Sequence, residues 1–257
     1  METLLICIAA FAASGLTLFS GFGLGTILMP VIVIFFPVPI AVAITAAVHL
    51  LNSLFKLGLL WRNVNRRVLL AFGIPALLAA IPGALLLDYL SMLEPLTRYQ
   101  LAGNEHTITP VKLAVGILLI IFATAEMMPF LNRLTDHHLG LPVGGVLSGF
   151  FGGLSGHQGA FRSAFLIRAG LDKNAFVSTN AAIAALVDTS RLVIYGMTFE
   201  VALIEAQSTL ILLATIAAFL GVFLGTRLLG KVTIGFIQKL VAAMLYILGG
   251  LLCLGII

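Results

Sequence analysis

Long apolar blocks alternate with short polar connections along the whole chain. The blocks fall at about 3–36, 39–60, 68–88, 111–131, 141–168, 174–196, 203–226 and 240–257, and the connections include the basic stretch Trp61-Arg62-Asn63-Val64-Asn65-Arg66-Arg67. A helix needs roughly 20 apolar residues to cross the hydrocarbon of a bilayer, and most blocks reach that length. Strands are excluded as spans, because an isolated strand leaves its backbone unsatisfied in hydrocarbon and closed barrels use shorter, alternating segments. The pattern therefore predicts an all-α integral membrane protein, one membrane domain over residues 1–257 with about eight hydrophobic segments.

The segments also resemble two related halves, 1–131 and 141–257. A shift of 134 residues superposes Gly25 on Gly159, Ala41 on Ala175, Thr45 on Thr179 and Trp61 on Tyr195, and a shift of 135 brings Ser20-Gly21 onto Ser155-Gly156. Each half opens with a Gly-rich break, turns at Pro39 or at Asp172-Lys173, and continues in an Ala-rich helix that carries polar residues. Charge bears on how the halves are oriented. With eight full crossings, Arg62, Arg66, Arg67 and Arg133 oppose Arg98, Lys112, Arg168, Lys173, Arg227, Lys231 and Lys239, against the usual excess of basic residues on one side. If the first and fifth segments instead enter, break at their glycines and return, all but Arg98 and Lys112 share one face. The acidic Asp88, Glu94, Glu105, Glu200 and Glu205 then collect on the other. That distribution is expected of an inverted repeat with re-entrant or broken first helices; two parallel repeats of full spans are the alternative.

Composition agrees with a lipid surround. Hydrophobic residues make up 61% of the chain and charged residues 9%, against about 25% charged in a soluble domain. The formal charge of +4 is spread along the chain, so topology explains it better than a nucleic-acid partner does. Cys7 and Cys253 lie in apolar runs at opposite ends and suggest neither a disulfide framework nor a metal site. The start is apolar but carries Glu2 in place of a basic leader, and its apolar run continues toward Pro37, so it reads as part of the mature chain. No P-loop pattern occurs, which argues against direct drive by ATP, and no cofactor is expected.

Candidate chemistry begins at the two breaks, Ser20-Gly21-Phe22-Gly23-Leu24-Gly25-Thr26 and Gly152-Gly153-Leu154-Ser155-Gly156-His157-Gln158-Gly159. Breaking a helix inside a bilayer strands backbone groups, and the helix that resumes offers free N–H groups and a positive dipole end to an anion. The same glycines also suit close helix packing. Arg162 follows the second break by three residues, where the helix dipole disfavours a cation unless an anion lies nearby. Ionisable residues at membrane depth need a partner or a hydrated cavity, since each costs roughly 2.5–3.5 kcal/mol on insertion scales. His49, Asn52 and Lys56 lie near one helical face, with Lys56 also able to snorkel toward Trp61. Asp188 and Arg191, three residues apart, follow Ser178-Thr179-Asn180 and are candidates for mutual neutralisation. His49 and His157 are the histidines in apolar segments, and with Asp188 they are candidates for carrying a coupled proton. Glu126 reads as interfacial, and His137-His138 beside Asp136 lacks further metal-ligand spacing.

Assembled, these features resemble the TauE/SafE sulfite exporter family of membrane permeases. The resemblance rests on two halves, each with a Gly-rich opening, followed by Ala41-Val42-Ala43-Ile44-Thr45-Ala46 or by Ala175-Phe176-Val177-Ser178-Thr179-Asn180. It implies export or uptake of sulfite, a sulfonate or a related small anion. Family members commonly carry consecutive glycines followed by a proline in each half, whereas the second half here reads Gly156-His157-Gln158-Gly159-Ala160-Phe161-Arg162-Ser163.

The expected function is secondary transport of a small anion in a prokaryotic plasma or inner membrane. Its expected partners are that anion, the bilayer and, as an open alternative, further copies of the chain. Backbone at Gly21, Gly23, Gly25, Gly156 and Gly159, with Thr45, Asn52, His157, Gln158, Thr179 and Asn180, would hold the anion, and Arg162 and Arg191, with Lys56 as a lower-ranked candidate, would balance its charge. A passive anion channel and an intramembrane lipid-phosphate enzyme are the competing readings; the enzyme would need clustered carboxylates or a Ser beside a base in the re-entrant segments. The charge count yields a topology prediction: single-cysteine labelling in intact cells places Lys173 and Lys231 on the side of Arg66, with Glu200 opposite. Labelling of Lys173 on the side of Glu200 would instead establish eight full crossings.

Overall fold

A computed structural model of the chain describes residues 1–20, 23–101, 103–127, 140–198, 206–228 and 234–257. These form helices α1 (Glu2–Ser20), α2 (Leu24–Ile32), α3 (Val38–Leu60), α4 (Arg66–Met92), α5 (Pro110–Met127), α6 (Leu141–Ser155), α7 (Gly159–Arg168), α8 (Lys173–Thr198), α9 (Ser208–Leu228) and α10 (Ile234–Cys253). Helices α3, α4 and α8 are long and apolar enough to cross a membrane, and shorter apolar helices accompany them. Leu78, Leu85, Ile117, Leu212 and Ile216 face outward while Asn52, Gln158, Arg162, Asp188 and Arg191 are buried. An apolar exterior around a polar interior suits hydrocarbon as the surrounding solvent, and this is an α-helical membrane protein.

The predicted segments 3–36 and 141–168 each divide at their glycines. The first gives α1 and α2; the second gives α6 and α7, separated by Gly156, which caps α6 at φ +78. A left-handed residue there is steeply unfavourable for any side chain but readily taken by glycine. Gly23 lies directly against Gly159, and a Cβ on Gly25 would approach Gly156 O at 3.1 Å. The two breaks therefore meet back to back at the centre of the molecule. Of the first break, Gly21 and Phe22 lie outside the described residues.

Small residues bring the helices together, as expected where lipid removes the hydrophobic drive between them. Gly145, Gly149 and Gly153 form one stripe along α6, and a Cβ at each would collide with the carbonyls of Phe72, Ala76 and Ala80 on α4. That fixed offset makes α4 and α6 parallel. Helix α1 packs on α9, with Gly221 against the Phe11 carbonyl. Helices α3 and α8 run antiparallel, since His49 meets Asp188 while the later Asn65 N–H donates to the earlier Thr179 Oγ1 at 2.9 Å. Helices α5 and α10 are antiparallel as well, with Gly116 against Gly249 and Thr124 Oγ1 at 2.9 Å from Tyr246 Oη. Within α4, Leu69–Gly73 is wound as a π-turn just before Pro75, whose ring removes an N–H from the ordinary ladder.

The Asn65–Thr179 contact sets the start of α8 beside the start of α4, so Lys173 and Arg66 belong to neighbouring ends of helices. Glu200 and Lys231 lie outside the described residues, as do Arg133, Asp136, His137, His138 and Glu205. The sequence reading anticipated helices alone, but the structure adds a hairpin, β1 (Thr97–Leu101) paired antiparallel with β2 (Asn104–Ile108). It docks on the end of α10, where Tyr99 Oη donates to Leu254 O at 2.5 Å. Tyr99 and His106 face each other across the strands, the kind of pair that stabilises a ladder otherwise marginal on its own.

Candidate functional site

The Ala-rich faces of α3 and α8 pack closely at the centre, leaving the longer polar side chains of both helices to converge where the breaks meet. Asp188 on α8 is the hub. Its Oδ1 accepts from Arg191 Nε at 3.0 Å and from Gln158 Nε2 at 3.0 Å, and lies 2.8 Å from Arg191 Nη2. Its Oδ2 is 2.5 Å from His49 Nδ1. A carboxylate can only accept, so Nδ1 is the protonated nitrogen of His49 and Nε2 carries the lone pair. Asp188 and Arg191 are both fully buried, and hydrogen bonds on both carboxylate oxygens compensate for the loss of water.

Arg191 also reaches out of the pair. Its Nη1 donates to Gly152 O at 3.2 Å, while Tyr195 Oη donates to Gly153 O. These are carbonyls of the last turn of α6, which carry its negative dipole end; Gly152 O also accepts from the capping Gly156 N–H at 3.0 Å. A cation and a hydroxyl from α8 thus hold the broken end of α6 open. In this structure Arg191 pairs with Asp188 and reaches the end of α6, so it is engaged as the mutual-neutralisation alternative has it, where the sequence reading also placed it among the residues balancing an anion.

Arg162, on the first turn of α7, has a different neighbour. Its Nε donates to Asn180 Oδ1, and its Nη1 has no hydrogen-bond partner among the described residues although the residue is 1% exposed. Arg162 and Asn180 line a cavity of about 20 Å³ with Gly23, His49, Ser53 and Lys56, closed on its apolar side by Leu24, Val177, Ala181 and Ala184. That volume accommodates about one water. Lys56 is half-buried, and its ammonium makes no ion pair among the described residues. A larger groove of about 530 Å³ between α3, α4 and α8 is lined by Leu54, Leu77, Ile81 and Leu186 and has only Thr189 and Ser190 as polar residues. It offers an anion no charge.

The residues singled out in the sequence divide accordingly. Gly23, His49, Arg162 and Asn180 line the cavity; Gly25, Gly156 and Gly159 build the contact between the breaks; Asp188, Arg191 and Gln158 form the hub behind it. Others are engaged elsewhere. Thr45 Oγ1 donates back to Ala41 O at 2.7 Å, Thr179 Oγ1 accepts from Asn65, and Asn52 Oδ1 accepts from Ser14 Oγ at 3.1 Å. His157 Nδ1 lies 2.9 Å from Ser155 O, and its ring stacks on Phe122 of α5. Gly21 lies outside the described residues. The sequence reading passed over Ser53, whose signal was its place between His49 and Lys56 on one helical face. It also passed over Ser148, whose Oγ donates to Gln158 O at 3.1 Å.

The hub predicts strong coupling. Arg191→Met leaves Asp188 short of its main counter-charge and should lower the melting temperature in detergent, while Arg191→Met with Asp188→Asn should recover part of that loss, because the uncompensated buried charge is gone. Melting shifts that simply add would contradict the pair.

Comparison with known proteins gives the same class of protein. The family model described as sulfite exporter TauE/SafE matches residues 6–252, nearly all of the 257 residues, and the chain belongs to that family. No curated protein and no solved structure matches the chain.

Proposed function

We propose that this member of the TauE/SafE family is a secondary transporter that carries a small oxyanion through the cavity between Arg162 and Lys56, as a multi-pass protein of the plasma membrane. The family's name makes sulfite the first substrate to test, with sulfonates next. The observation that carries the reading is the guanidinium of Arg162, buried with Nη1 unpartnered among the described residues. Its neighbouring carboxylate, Asp188, is already engaged by Arg191 and His49. A buried cation without a counter-charge is costly, and an oxyanion in the cavity supplies the missing charge. The planar fork of Arg162 matches two anion oxygens. Asn180, whose carbonyl accepts from Arg162, keeps its amide hydrogens for a third. Any such anion is larger than one water, so binding requires the cavity walls to part, which favours a carrier over an open pore.

His49 gives the carrier a place for a proton. With Nδ1–H held by Asp188, the Nε2 lone pair lies on the cavity side, 3.8 Å from where a Cβ on Gly23 would stand. A proton taken there adds positive charge beside the anion, so each favours binding of the other, and that mutual preference is what links two fluxes. The ring of His157, stacked on Phe122, is the weaker candidate. An inverted repeat also belongs to this reading. It is supported by the order of elements, since α1–α5 and α6–α10 show the same succession of broken first helix, Ala-rich helix and two further helices, and by the antiparallel pairing of α3 with α8 and of α5 with α10.

Proteoliposomes test the proposal. Sulfite uptake by the wild-type protein should follow an imposed pH gradient. Arg162→Lys should melt normally yet bind anion about tenfold or more weakly, the size of one lost charge-assisted hydrogen bond. His49→Gln should bind anion but lose the response to the gradient. Normal affinity in a stable Arg162→Lys protein would contradict the two-pronged anion seat, and a retained response in both His49→Gln and His157→Ala would remove histidine from the coupling.

A further inference from the structure

Helices α3 and α8 each carry a basic residue in their second half, Lys56 and Arg191. In α8 the cation has its own carboxylate one turn back, and the two are joined at 2.8 Å. In α3 the same place holds Ser53, and the sequence of α3 contains no Asp or Glu at all. The two cations therefore differ in one respect: Arg191 is neutralised by Asp188, and Lys56 makes no ion pair among the described residues.

From this asymmetry we infer that Lys56 is the residue that selects the charge of the transported anion, and that the cavity takes an oxyanion carrying two negative charges in preference to one carrying a single charge. The inference rests on the anion-site reading above and adds to it the class of ligand. Lys56 and Arg162 line one cavity whose other polar walls, Ser53, Asn180 and the neutral His49, carry no negative charge. Asp188 stands behind His49 and is balanced by Arg191. One cation in excess would be matched by a monoanion, whereas the two here leave a monoanion site with an unbalanced charge in a low-dielectric surround, which is costly. A dianion balances both. Arg162 supplies the two-pronged contact and Lys56 a compact, rotatable ammonium. The hydroxyl of Ser53, on the same face as Lys56, donates to an oxygen that a carboxylate at that position would repel.

The test measures binding to the detergent-purified full chain at fixed ionic strength. Sulfate and thiosulfate serve as dianions, and methanesulfonate as a monoanion with a similar triad of oxygens. Wild-type protein should bind the dianions more tightly. Lys56→Gln should weaken dianion binding about tenfold or more while methanesulfonate affinity changes little, and Lys56→Arg should keep the dianion preference. Ser53→Asp is an independent variant: it places a carboxylate one turn before Lys56, as Asp188 stands one turn before Arg191, and it should erase the preference while leaving Lys56 in place. Persistent methanesulfonate binding reports that each variant is folded. An equal loss for both classes of anion, or no loss for either, overturns the assignment of Lys56 and agrees with a side chain that merely snorkels to the membrane surface. Wild-type protein that binds neither class removes the anion site itself, and this inference with it, whereas tight wild-type binding without a charge preference overturns the inference alone.

Discussion

A carboxylate in the middle of a membrane protein must be held by donors on every side, and Asp188 is held by three. Arg191 comes from its own helix, Gln158 from the break between α6 and α7, and His49 from α3 in the other half of the chain. One buried charge thereby ties together the long central helix of each half and the point where a third helix is interrupted. Without it Arg191, which reaches the carbonyl end of α6, would have no counter-charge, and His49 would lose the acceptor that orients it. The break in α6–α7 is thus part of a charge arrangement, since Arg191, whose charge Asp188 balances, donates to Gly152 O at the helix end beside the neutral hydroxyl of Tyr195 on Gly153 O.

Glycine makes the arrangement sterically feasible. The stripe Gly145, Gly149, Gly153 lets α6 lie against the backbone of α4, and Gly156 turns the chain where only glycine turns easily. Gly23 against Gly159 then brings the two interruptions into direct contact. The polar groups of both halves consequently share one small volume, in which Asp188 and Arg191 cancel and, among the described residues, Arg162 and Lys56 are left over. The proposed anion binding rests on that remainder and needs no further assumption about how the two halves arose.

Much of this organisation was legible in the chain. Apolar blocks of span length located the helices, and Gly-rich interruptions located both breaks, because a helix cannot be interrupted in hydrocarbon without residues that permit it. Ionisable residues at membrane depth pointed to His49, Arg162, Asp188 and Arg191 for the same reason of cost. Which of them pair with one another was not legible. Asp188 could be assigned to Arg191 by spacing, but its contact with His49 spans 139 residues of sequence and depends on the antiparallel fit of α3 on α8. Thr45 and Thr179 looked equivalent because they superpose at one shift, yet one hydroxyl turns back onto its own helix and the other holds the start of α4. A hydroxyl has several local acceptors within reach, so its residue type says little about its direction. The hairpin at 97–108 went unread because its apolar content is low and its docking partner, the end of α10, lies about 150 residues away in sequence, a distance set by the Tyr99–Leu254 contact.

The central claim is that Arg162 and Lys56 form a cationic seat completed by an oxyanion. It is tested most directly by a structure of the protein with bound selenite, whose selenium can be located by its anomalous scattering. The account predicts one selenium in the cavity, with an oxygen within hydrogen-bond distance of Arg162 Nη1 and another facing Lys56. Selenium found only at the exposed basic residues of the helix ends, with the cavity between Arg162 and Lys56 unchanged, would contradict it.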